Sequence, residues 1–173
     1  MGVKLNLNLP GHVWTAQDTA RLAANTLATV KLRTSKGMSY TGKPFIDYST
    51  TPLYVSYKGA RLKPKGGRVS KSGKGVFYKG GYEQYKHESR KRTRGKAGQS
   101  ANVDLVLSGQ LMNNLVVLEA TSTRFRIGLT QHVQYYGYRV NDDRPYIGLS
   151  SKEIDILVDA VAADISSKMR SKR

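Results

Sequence analysis

Apolar and polar residues alternate most strictly between Arg124 and Leu129. Phe125, Ile127 and Leu129 fall on one side, and Arg124 and Arg126 on the other. A period of two marks a half-buried strand. Just upstream, Leu115 to Ala120 is rich in branched apolar residues, and Thr121-Ser122-Thr123 separates the two runs. Such a pair predicts an antiparallel hairpin, placed here at the centre of a sheet. The approach to it reads as an extended entry from Asp104 to Leu107, a break at Ser108-Gly109, and a helical turn from Gln110 to Asn114.

At the start of the chain, Val3, Leu5, Leu7 and Leu9 alternate with Lys4, Asn6 and Asn8, which predicts a first strand stopped by Pro10-Gly11. Thr15 with Asp18 three residues on is an N-cap signal. It predicts an amphipathic helix from Ala16 to Leu32, with Ala20, Ala23, Leu27 and Val30 as its apolar stripe and Gly37 beyond its end. Met38 to Tyr57 is irregular, with Phe45, Ile46 and Tyr48 as anchors and a short strand from Leu53 to Tyr57. A short helix is expected from Tyr82 to Glu88, and a helical turn bearing aromatics between Thr130 and Val140. Asn141-Asp142-Asp143 reads as a turn, and Arg144 to Leu149 as an extended edge piece, because Pro145 cannot donate to a ladder. Ser150 and Glu153 form a capping box for a last helix, Leu149 and Ile154 its hydrophobic staple, and Ile154, Leu157, Val158, Val161 and Ile165 an apolar stripe at helical spacing, with Asp155, Asp159 and Asp164 off it.

Composition changes this picture at one place. The chain of 173 residues carries 29 Lys+Arg against 12 Asp+Glu, a formal net charge of +17. Such a charge favours polyanions or acidic surfaces and opposes self-association unless it is neutralised. Much of it falls between residues 58 and 100: Lys58, Arg61, Lys63, Lys65, Arg68, Lys71, Lys74, Lys79, Lys86, Arg90, Lys91, Arg92, Arg94 and Lys96, opposed only by Glu83 and Glu88. The segment is also punctuated by glycine and poor in apolar residues, so it is expected to project as a basic arm or hairpin loop. The length fits one domain, 1–173, with its core in 1–57 and 101–167. The fold class expected is α+β: a small antiparallel sheet packed by an N-terminal and a C-terminal helix, with the long basic loop projecting. There is no apolar run of the roughly 20 residues that cross a bilayer.

Three pieces in order carry a resemblance: Gly80 to Lys86 (GGYEQYK), Val103 to Leu115 (VDLVLSGQLMNNL, with Ser108, Gly109 and Leu111), and Arg144 to Ser150 (RPYIGLS, with Arg144, Pro145 and Gly148). Together they resemble the neck and tail-completion proteins of tailed bacteriophages, the group often labelled virion morphogenesis or tail component. The resemblance covers roughly residues 80 to 165. It implies an α+β structural subunit of the virion neck, assembled in the host cytoplasm as a ring, commonly hexameric, with a dodecamer as the other option. Such rings join the head connector or adaptor to the tail and extend the channel through which genomic DNA passes. The basic insertion lies outside the matched motifs.

Candidate chemistry is sparse. GGRVSKSGKG, from Gly66 to Gly75, has the wrong glycine spacing for a phosphate loop, and Gly75 stands where a Ser or Thr would meet magnesium. His12, His87 and His132 show no metal-ligand spacing, there is no cysteine, and no nucleophile elbow accompanies a Ser-His-Asp set. No cofactor, metal or catalysis is therefore expected. The functional candidates are the cations Lys71, Lys74, Lys79, Lys86, Arg90, Lys91, Arg92, Arg94 and Lys96, together with Tyr78, Tyr82, Tyr85, Tyr135, Tyr136 and Tyr138 as interface aromatics. The arm either docks on an acidic neighbouring ring, which is favoured slightly, or contacts DNA phosphates without reading bases. The rival class is a monomeric basic nucleic-acid-binding protein using the same arm.

Overall fold

The computed structural model describes residues 2–7, 13–60, 62–89, 103–105 and 109–171. Its architecture is α+β. The main sheet is antiparallel, in the order β1-β6-β5, with β1 at Val3–Asn6, β5 at Leu115–Ala120 and β6 at Arg124–Leu129. The hairpin forms as its alternation requires, with Phe125, Ile127 and Leu129 fully buried and Arg124 and Arg126 exposed. Only β6 is central, however. β5 is an edge, and a bulge between Val117 and Glu119 leaves Leu118 exposed.

Helix α1, Ala16–Ser35, lies on this sheet against β5 and β6. Thr15 caps it as expected, the hydroxyl accepting from the Asp18 amide at 3.3 Å while the Asp18 carboxylate accepts from the Thr15 amide at 2.9 Å. The buried stripe differs from expectation: Ala20 is exposed, and Thr19, Thr26 and Thr34 are buried beside Leu22, Ala23 and Val30. Threonine is tolerated there because Thr26 and Thr34 donate back to the Leu22 and Val30 carbonyls at 2.8 and 2.7 Å, leaving their methyl sides apolar. Trp14 is buried and donates its indole N–H to Thr19 Oγ1 at 2.8 Å.

Gly109, in the left-handed region at φ 82°, precedes the short helix α2, Gln110–Asn113, whose Leu111 is buried in the main core. Helix α3, Gln131–Asp143, is longer than the single turn expected and absorbs Asn141, Asp142 and Asp143. Residues 144–149 form no strand. Instead Asn141 Oδ1 accepts from the Tyr146 and Ile147 amides at 3.0 and 2.8 Å. Helix α4, Ser151–Arg170, begins at the Ser150–Glu153 capping box. None of its residues is buried, and Ile154, offered above as half of a staple, is 42% exposed. Among the described residues no helix is long and apolar enough to cross a membrane.

The largest correction concerns the basic insertion. Its first part holds a hairpin, but one built into a packed sheet rather than projecting as a loop. β2 (Leu53–Ser56), β3 (Arg68–Val69) and β4 (Gly75–Tyr78) form a second antiparallel sheet in the order β2-β4-β3. The helix Gly81–Ser89 packs on it. Val76, Tyr78 and Tyr85 are its buried core, with Leu53, Val55, Leu62 and Tyr82 around them. The apolar-poor composition misleads because tyrosine serves as the core residue. The Tyr78 hydroxyl donates to the Lys65 carbonyl and that of Tyr85 to the Leu62 carbonyl, at 2.8 and 2.7 Å, so the rings are buried with their polar ends satisfied.

Candidate interaction surface

The two lobes meet around Tyr48. Its hydroxyl accepts from Lys86 Nζ at 2.7 Å and from the Leu105 amide at 3.2 Å, and its ring meets Tyr82 edge-on at 5.2 Å. Lys86 also donates to Asp104, and both side chains are nearly sealed from solvent. Burial is the main cause that raises the Tyr48 pKa, with the Asp104 charge adding to it. Lys86 is therefore a structural cation between lobes, not a member of a surface patch. Tyr78 and Tyr85 are likewise withdrawn from the surface, and Tyr82 is half-buried.

Lys71 and Lys74 are exposed in the turn between β3 and β4, and Lys79 is exposed just past β4. Arg90, Lys91, Arg92, Arg94, Lys96 and Ser108 lie outside the described residues. Tyr135 is 76% exposed with the Arg139 guanidinium 5.0 Å from its ring centre, while Tyr136 and Tyr138 are half-buried against the main core. The motif residues act within the fold. Arg144 donates to the carbonyls of Ile46 and Asp47 at 2.9 and 3.0 Å, and the Pro145 carbonyl accepts from the Tyr40 amide at 3.1 Å. Gly148 lies under the Tyr40 ring, where a Cβ would stand 2.6 Å from Cγ.

Two aromatic residues that the alternation pattern offered were missed. In LYVS and GVFY the inward positions are Leu53, Val55, Val76 and Tyr78, so Tyr54 and Phe77 point outward. They are cross-strand partners, 50% and 42% exposed, and Arg68 sits opposite Phe77 on its other side. Tyr54, Phe77 and Arg68 thus form a row across the second sheet.

On the main lobe, α4 runs antiparallel to α1, and three ion pairs hold it there. Arg33 Nη1 donates to both carboxylate oxygens of Glu153 at 2.7 and 2.5 Å, and its Nη2 donates to the Tyr146 and Gly148 carbonyls at 2.8 and 3.0 Å. Arg21 reaches Asp164, and Lys168 reaches Asp18. The Lys168 hydrogen bond, then those from Thr15, lower the Asp18 pKa to about 2. These pairs align Glu153, Leu157, Asp164 and Lys168 toward α1. They leave the next flank of α4 facing an apolar groove of about 330 Å³, lined by Leu5, Leu7, Leu22, Ile154, Val158 and Ile165. Beside it β1 has only β6 as a neighbour, so among the described residues its outer edge is unpaired. Four of the chain's 12 acidic residues, Glu153, Asp155, Asp159 and Asp164, lie on this helix.

Among the described residues no group of three His, Asp or Glu side chains is placed to hold a metal ion. Comparison of the chain with protein-family models, curated proteins and solved structures finds no match.

Proposed function

We propose that the chain is a non-enzymatic structural subunit of a bacteriophage neck, one copy of a ring that joins the head connector to the tail and extends the DNA channel. The observation that carries this reading is the open apolar groove beside a strand edge that no described residue pairs. Ile154 and Val158 are 42% and 59% exposed there, an arrangement that a neighbouring subunit completes. The resemblance of the three motifs to neck and tail-completion proteins supplies the setting. A head-to-tail contact repeated around an axis closes a ring. Lys71, Lys74 and Lys79 then present charge either to an adjacent acidic ring or to passing DNA phosphates, without base readout.

Native mass spectrometry at moderate salt, followed by reconstruction of particles, tests it. The expected result is a closed oligomer located at the head–tail junction. A protein absent from that junction overturns the reading.

A second reading has its own observation. Tyr54 and Phe77, exposed on a basic sheet, resemble the stacking platforms of proteins that bind single-stranded nucleic acid. A monomer that binds oligonucleotides tightly, with a steep loss of affinity as salt rises, would favour it.

A further inference from the structure

We propose that the groove between β1 and α4 is filled by the outer face of the second sheet of a neighbouring copy, with Tyr54 and Phe77 as anchors and Arg68 set against Asp155 and Asp159. This contact rests on the ring reading and names the two faces that meet in it.

The receiving face is apolar along its floor and acidic along its rim. Asp155 and Asp159 are exposed, one helical turn apart, on the solvent side of Val158 and Ala162. Neither forms an ion pair with a described residue. The groove's volume suits inserted side chains rather than a whole helix.

The inserting face has the matching chemistry. Tyr54 and Phe77 are large, outward and fixed by their strands. The Tyr54 ring lies across Gly75, where a Cβ would stand 2.6 Å from its hydroxyl, so Gly75 permits the ring to lie flat. Tyrosine, phenylalanine and arginine in one row form the kind of anchor set that carries most of the energy of a protein interface.

Charge selects a second copy in head-to-tail orientation over a two-fold pair. Groove against groove would bring Asp155 and Asp159 toward themselves. Aromatic face against aromatic face would bring Arg68 toward itself, in a chain of net charge +17. Only groove against aromatic face joins opposite charges, and a contact between different faces generates a ring or a filament rather than a closed pair.

The chain contains no cysteine, so introduced thiols are unique. Ser56→Cys lies on the inserting face beside Tyr54, Val158→Cys lies in the groove, and Leu118→Cys is an exposed control on β5. Equal mixtures of single variants are treated with a short bis-maleimide at low salt. The Ser56→Cys and Val158→Cys mixture should give a linked pair in clear excess over the Leu118→Cys and Val158→Cys mixture. Tyr54→Ala with Phe77→Ala should weaken self-association about tenfold or more. Arg68→Glu should also weaken it, and Asp155→Lys with Asp159→Lys in the same chain should restore it.

An oligomer that forms without the Ser56–Val158 link overturns this contact and leaves the ring reading standing. A chain that stays monomeric at every concentration, or whose Tyr54 face is occupied by an oligonucleotide instead, also overturns it. The ring reading is then judged separately by where the protein sits in particles.

Discussion

Lys86 and Asp104 form an ion pair in which the two side chains are only 9% and 7% exposed, and it ties the second sheet's helix to the main core. The partners come from opposite sides of the lobe boundary, and Tyr48 gives the ammonium a second acceptor at 2.7 Å. Breaking such a pair from one side leaves a buried charge without compensation. Asp104→Ala is therefore expected to cost about 3–5 kcal/mol, whereas Lys86→Met with Asp104→Leu should cost much less. Urea unfolding of the two variants checks this.

Asp18 makes stability acid-sensitive. Its pKa is lowered from 3.8 to about 2, first by Lys168 and then by Thr15. A depressed carboxylate contributes stability that is present above its unfolded value and lost as pH falls through its folded one. Melting temperature should thus drop between 3.8 and about 2, and Asp18→Asn should remove that part of the slope. Circular dichroism melts of both proteins across this window give the answer.

Gly137 sits inside α3 at a buried position, and an added Cβ would stand 3.0 Å from Leu111 Cδ1 and closer still to Leu129. Helix propensity alone favours alanine there by about 1 kcal/mol. Overpacking of a close-fitted core costs about 1–3 kcal/mol and should win, because Leu129 is fully enclosed. Gly137→Ala is expected to lower the unfolding midpoint in denaturant.

The second lobe should open before the first. Among the described residues Val76, Tyr78 and Tyr85 form its buried core, against fifteen buried residues in the main cluster. Amide hydrogen exchange at Val76 and Tyr78 should be faster than at Phe125 and Ile127, because local opening exposes less apolar surface there. Equal protection in both sheets would contradict this.

Much of the main lobe was legible because its signals are local. Period-two alternation marked β6, and both capping boxes, Thr15–Asp18 and Ser150–Glu153, stand at the helix starts. In the second lobe the strand Leu53–Ser56 and the helix Gly81–Ser89 were legible, but the strands Arg68–Val69 and Gly75–Tyr78 were not, for a physical reason. Lysine and glycine dominate its composition, and its core depends on tyrosines whose hydroxyls reach the carbonyls of Lys65 and Leu62, contacts across a loop that no local pattern encodes. The same tyrosines were therefore read as surface residues, while Tyr54 and Phe77, which do face outward, drew no notice. Lys86 looked like one more cation in a run because its partner, Asp104, lies 18 positions away. The apolar stripe on α4 was legible, but not how it divides: Leu157, Val161 and Ile165 are half-buried on the main core while Ile154 and Val158 stay exposed, since spacing reveals a helix's oily side and not what lies against it.

Arg33–Glu153, Arg21–Asp164 and Asp18–Lys168 do more than hold α4 in place, because together they act like a key in a keyway and set the helix's rotation about its own axis. A helix free to roll would turn Ile154, Val158 and Met169 inward; locked by charge, it keeps them 42%, 59% and 58% exposed. The molecule's stickiness is then an enforced posture, and concentrated salt should relax it twice over, by screening contacts between copies and by letting the lock slip.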